Sequence, residues 1–189
     1  MLYGAQPARR RDAQRNRAAI VRAASEAMTS RRPAVGMPEI ARRAGVGQAT
    51  LYRHFPDRYA LADAVIGYQL DRLAGCVAAQ REHPGGFRPM LDEILRAQVT
   101  MRPLVQLARR LEPAVQSRHE RRIVSLLAEP LRQAQDHGHV RKDLVPGDVV
   151  LLFTMVEGVV ADATDITAAQ TAAGRLIDLA LDGVFRLAG

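Results

Sequence analysis

Between Gly47 and His54 the chain gathers Gln48, Thr50, Tyr52, Arg53 and His54, with Arg58 just beyond and no acid before Asp57. These types and spacings make neither a nucleophile–base pair nor a metal set. They are hydrogen-bond donors suited to phosphate oxygens and base edges. Tyr52 and His54 can donate to phosphate, which positions a protein without reading sequence. The main-chain N–H groups of Gly47 and Gln48, at a helix start, can do the same. Gln48 can read adenine, Arg53 can pair with guanine or hold a phosphate, and Ala49 and Thr50 can touch a thymine methyl. Two alternatives stay open: Tyr52 divided between core and contact, and His54 capping its own helix end.

Such donors need a rigid carrier. Ile40-Ala41 point inward and Arg42-Arg43 outward on a short helix that starts after Gly36, carries Pro38 in its first turn and Glu39 near its positive end, and stops at Gly45. After the turn Gly45-Val46-Gly47 a second helix runs from about Gln48 to His54 and stops before Phe55-Pro56. Two helices joined by a tight glycine-containing turn form a helix-turn-helix, whose second helix can enter a DNA major groove. Ile40, Ala41, Ala44, Val46, Leu51 and Phe55 are the expected small core between them.

The spacing of Ile40-Ala41, Ala44-Gly45-Val46 and Thr50-Leu51-Tyr52-x-His54-Phe55 resembles the DNA-binding domain of the TetR family of bacterial repressors. The resemblance spans about residues 12–66. It implies that the helix carrying Gln48 to His54 is the recognition helix, and that Arg58 takes the place of a lysine that grips the DNA backbone. It also implies a four-helix dimer interface. The chain departs from the family pattern at Gly36 (usually Ser or Thr), Pro33 (more often Gly) and Tyr59 (commonly acidic).

Charge supports the same reading. Residues 1–60 hold twelve arginines against four acids, whereas the rest holds 15 basic and 16 acidic side chains, so the head carries the whole excess behind the net +7. A basic third on a near-neutral body suggests a polyanion-binding head. Arg9, Arg10 and Arg11 close a segment, 1–11, that reads as a flexible basic arm able to reach DNA or to remain solvated. The single cysteine, Cys76, fits a reducing compartment and, among apolar neighbours, is expected to be a packed thiol. Met1 to Pro7 lacks the apolar core of a secretory leader, and the longest apolar run, Val149 to Val156, is broken by Thr154 and far short of the ~20 residues of a membrane span. A cytoplasmic, nucleoid-associated protein is expected. No phosphate-binding glycine loop, HExxH or paired-cysteine spacing supports an enzyme, and no cofactor, metal or catalytic residue is expected. His137-Gly138-His139 lacks completing ligands and reads as a helix C-cap with two exposed imidazoles.

The remainder is helical at every turn: one helix from Asp12 to before Pro33, then Arg58–Arg81, Phe87–Met101, Pro103–Leu111, Pro113–His137 with a kink expected at Pro130, Pro146–Ala163 and Thr167–Leu187. The fold class is all-α: a three-helix head, 12–57, on a helical-bundle body, 58–189, about nine helices in all. The last two helices are the expected homodimer seam, through Val156, Gly158, Val160, Ala161, Leu176, Ile177, Ala180, Leu181 and Val184, residues that can also fill a monomer core. An effector pocket is expected among the middle helices. Its candidate walls are Met90, Ile94, Met101, Leu104, Leu107, Leu127, Phe153 and Met155, with Arg96, Arg102 or His119 as polar anchors. Met and Leu at helical spacing are far more often plain core than ligand wall. These features point to a homodimeric regulator on near-palindromic double-stranded operator DNA. Most simply it is a repressor released by a small apolar or amphipathic effector. The alternative is an architectural DNA-binding protein without one.

Overall fold

The structure, a computed structural model, describes residues 5–28, 35–79, 84–161 and 166–185, with side chains for all of these except 5–9, 84, 161 and 166. Pro33 and the expected helix ends at Arg81, Ala163 and Leu187 lie outside the described residues, as do the side chains of Arg9 and Ala161. Nine α-helices occupy them: α1 (Ala5–Met28), α2 (Met37–Arg43), α3 (Gln48–His54), α4 (Arg58–Ala79), α5 (Phe87–Thr100), α6 (Arg102–Ala108), α7 (Pro113–Asp136), α8 (Pro146–Ala161) and α9 (Ile166–Val184). The one β feature among them is an isolated bridge between Val140 and Phe185.

Helix ends fall where backbone chemistry puts them. At the end of α2, Gly45 takes φ 68° while its N–H bonds Arg42 O and the Val46 N–H bonds Ala41 O, a left-handed stop that satisfies two orphan carbonyls. The end of α7 repeats it: Gly138 (φ 75°) bonds Gln135 O, and His139 bonds Ala134 O. His137 is the C-cap, and both imidazoles are exposed, their ring centroids 6.1 Å apart. Helix α7 runs through Pro130 without ending.

Two segments differ from the sequence expectation. The expected arm is helical from Ala5, so Arg9, Arg10 and Arg11 lie on the early turns of α1. Ala, Gln and Arg are good helix formers, and Pro7 falls in the first turn, where its missing N–H costs little. Cys76 is exposed rather than packed. Its helix buries Leu70 and Val77 instead, and Cys76 falls off that face.

Two hydrophobic cores result. Ile20, Ala24, Ile40, Leu51, Phe55, Leu61 and Val65, all essentially inaccessible, centre the first, which binds α1, α2, α3 and the first half of α4. The second gathers α5, α7, α8 and α9 around Leu91, Leu95, Leu127, Leu131 and Ile177, with Val77 from the far end of α4. Helix α4 is thus built into both. Short α6 joins the first core as well, through Leu104 and Leu107.

Candidate nucleic-acid interface

The head presents α3 by burying only one of its residues, Leu51. With Phe55, whose N–H closes the helix on Leu51 O, it anchors α3 against α2 and α1. Arg17 of α1 adds a contact the sequence did not announce: its guanidinium lies 4.5 Å from the Phe55 ring centroid, a cation–π hold on the C-terminal end of α3. Holding one short helix through α1 and α2 leaves its outer face free.

That face carries the expected residues. Gly47, the N-cap, is extended and offers no side-chain cap, so the first N–H groups of α3 face outward with Gln48 and Ala49, both exposed. Tyr52 is 44% exposed, so it is partly covered by the head and partly open to a partner. His54 is half-buried, its ring 6.3 Å from that of Phe55, and among the described residues no hydrogen bond ties it to the helix end. Arg53 folds back along its helix, donating through Nη2 to Thr50 Oγ1 at 2.9 Å and through Nε to Ala49 O at 3.3 Å. Thr50 and Arg53 are therefore coupled in the free protein.

Arg58, exposed at the start of α4, is positioned by Asp57, a residue the sequence reading passed over. Asp57 Oδ1 accepts the N–H groups of Tyr59 and Ala60, each at 2.8 Å, and so caps α4. An Asp directly before a helical pattern is the signal that could have found it. On α2, Glu39 accepts from Arg42 (2.7 Å) and Arg43 (2.8 Å), and those hydrogen bonds hold its carboxyl down at about 2. The α2 cluster keeps a net charge of one, beside Arg53, Arg58 and the exposed arginines of α1.

These features match a known architecture. Residues 20–65 fit the family model described as bacterial regulatory proteins, tetR family, and residues 86–186, more than half the chain, fit that of the transcriptional regulator SbtR-like C-terminal domain. The chain belongs to the TetR family. A TetR transcription regulatory protein of Mycobacterium vanbaalenii is 28% identical over 94% of this chain and 99% of its own, with a TM-score of 0.66. A TetR transcriptional regulator of Rhodococcus sp. RHA1 is 26% identical over 89% and 97%, with a TM-score of 0.57. SCO0520 of Streptomyces coelicolor shares the fold at 24% identity and a TM-score of 0.67, over 91% and 99%. No curated protein sequence is significantly similar to this chain. Family membership makes the chain a DNA-binding transcription regulator rather than an enzyme. Among the described residues no helix is long and apolar enough to cross a membrane.

The body residues expected to line an effector pocket are divided between the two cores and the surface. Met90 and Leu127 are buried in the body core, and Ile94 and Phe153 pack against it. Leu104 and Leu107, with Met101 against them, belong to the head core. Arg96 is an exposed ion-pair centre for Asp92 (2.9 Å) and Asp178 (2.5 Å). Arg102 is half-buried on α6, and Met155 is exposed on α8. His119 bonds Asp63 at 2.6 Å. Each wall residue fits helical periodicity, but neighbouring residues on one helix serve different cores.

The expected seam splits in the same way. Val156, Val160, Ile177 and Leu181 are buried in the protomer core, and Leu176 and Val184 pack against it. Ala180 is half-buried and Gly158 exposed. The large apolar side chains that face outward are Leu151 and Met155, one turn apart on α8, and Leu179 on α9, at 59%, 49% and 54% exposure. An apolar run of α8 longer than one core can cover leaves this second face.

Proposed function

We propose that this TetR-family regulator is a homodimeric repressor that binds a near-palindromic operator and is released by a small molecule. Gly47, Gln48, Ala49, Thr50, Tyr52, Arg53 and His54 of α3 enter the major groove, with Arg58 on the phosphate backbone. The outward face of Leu151, Met155 and Leu179 makes the seam between two copies. Pairing sets two recognition helices one DNA turn, about 34–36 Å, or a multiple of it, apart.

One observation carries the ligand response: α4 belongs to both cores. Leu61, Ala62 and Val65 fix its start in the head, and Val77 fixes its end in the body. Asp63 receives Arg118 and His119 of α7 at 2.6 Å each, and Asp71 is paired with Arg122 of the same helix. A displacement of α7 by ligand therefore carries α4, and with it the spacing of the heads. A coupling of about 1–3 kcal/mol suffices for 5- to 150-fold release.

The reading is tested by fluorescence anisotropy on the DNA upstream of the protein's own gene against random DNA, with mass measured in parallel. The dimer is expected to prefer the upstream fragment and to lose affinity steeply with salt. Tyr52→Ala with His54→Ala should weaken it about 100-fold or more while leaving the dimer intact. Undiminished binding by that double variant would refute the assignment of α3. Equal weak binding to both DNAs would favour a purely architectural role.

A further inference from the structure

An open groove lies where α1, α4 and α7 meet, and its volume is about 860 Å3. That is ample for a drug-sized ligand. Its floor is apolar and shallow: Ala18 and Val21 of α1 face Ala64, Gly67 and Tyr68 of α4. Gly67 leaves a gap in that floor, since a Cβ there would meet nothing within 4 Å.

Its rim is charged and unbalanced. Arg17, Arg22, Arg118 and Arg122 line it against only two carboxylates, Asp63 and Asp71. Both carboxylates are already engaged, Asp63 by Arg118 and His119, and Asp71 by Arg122. Arg22 is exposed and makes no ion pair among the described residues, while Arg17 rests over Phe55. A cationic ligand would meet the surplus guanidiniums and find no spare acid. An anionic one gains planar donors that grip a carboxylate or phosphate through two parallel bonds.

We infer that this groove binds an amphipathic anion, a carboxylate or phosphate head carrying a short apolar tail. The head takes the surplus guanidiniums of the rim and competes with Asp63 and Asp71 for those of α7. The tail covers Ala18, Val21 and Tyr68. The site bridges the DNA-binding head, through α1, and the body, through α7, across the helix common to both cores. It stands on the groove itself and does not depend on release from the operator.

The probe is octanoate, titrated calorimetrically into the full-length protein, with octylammonium as the opposite-charge control. Octanoate is expected to bind once per chain and octylammonium not at all. Gly67→Leu adds bulk to the floor from a position where a Cβ meets nothing within 4 Å, and it keeps every charge; it should weaken octanoate about tenfold or more, roughly 1.4 kcal/mol. Arg22→Gln, exposed and unpaired, should weaken it less and reduce its sensitivity to salt, with helicity unchanged in both variants. Equal affinity in wild type and both variants, equal binding of octylammonium, or no octanoate binding by folded wild type would each overturn the site. DNA anisotropy in the same solutions separates the two readings. Binding that Gly67→Leu removes, with DNA affinity untouched by octanoate, upholds the groove and speaks only against release through it.

Discussion

The head and the body of this regulator are both helical and are built on cores of similar residues, yet they were unequally readable. In the head, Gln48 to His54 form one short helix after a glycine turn, as their spacing implies, although the arm of Arg9 to Arg11 is helical and Arg17 adds a hold from outside the stretch. In the body, the helices fall within a few residues of their expected bounds, but their faces are assigned differently. Leu104 and Leu107 serve the head, Met155 faces outward, and Arg96 is committed to two aspartates. A helix-turn-helix is fixed by local geometry, a left-handed glycine and a handful of contacts across one turn. A pocket or seam is assembled from helices far apart in sequence, and helical periodicity gives each an apolar stripe without naming its partner.

The sharpest way to break this comparison is to damage each core once. Leu51→Ala and Leu127→Ala both remove a fully buried leucine, and each should cost about 2–5 kcal/mol. They should differ in what is lost. Leu51→Ala should abolish DNA binding and leave the dimer, whereas Leu127→Ala should loosen the body and lower dimer content as well. Urea unfolding, followed beside sizing and DNA anisotropy, distinguishes them. Identical losses of both properties in both variants would mean that the shared α4 makes the two cores one cooperative unit.

The next contrast lies within α8. Leu151→Glu with Met155→Glu puts charge on the outward face and should break the dimer, a change of about 2–4 kcal/mol in association, with helicity and protomer stability nearly kept. Val156→Ala, one residue further along, should do the opposite and cost about 1–3 kcal/mol of protomer stability without altering association at fixed concentration. Analytical ultracentrifugation with thermal melts reads both. If Val156→Ala dissociated the dimer and the double variant did not, the seam would lie where the sequence first placed it.

These outcomes bear on what can be read from a sequence at all. Gly45 and Gly138 were recognisable as helix stops because only the left-handed region explains a glycine after each helical pattern, and both adopt it. The long apolar run of α8 was recognisable, but not which of its faces the protomer covers itself. Asp57 carried a legible capping signal that was passed over. Arg17 over Phe55 and the pairings of Asp63 and Asp71 with α7 had no local signal, because their partners lie dozens of residues away.

The smallest effect tests the joint between the regions. Burial pushes the Asp63 carboxyl up, but the hydrogen bonds from Arg118 and His119 outweigh it and hold it below the usual carboxylate range. A carboxyl whose folded value is depressed adds stability above its unfolded value and loses it as pH falls through the folded one. The α4–α7 joint should therefore keep its full strength down to the ordinary aspartate range, about pH 4, and weaken only below it. Asp63→Asn removes the charge at every pH. The wild-type advantage over it should be flat at neutral pH and shrink under acid. With the Asp63 side chain 34% exposed, solvent screening keeps that advantage below about 1 kcal/mol. Urea titrations of both proteins from neutral to acidic pH measure it. An advantage that grew on acidification would mean that the ionised carboxylate does not set the strength of the joint.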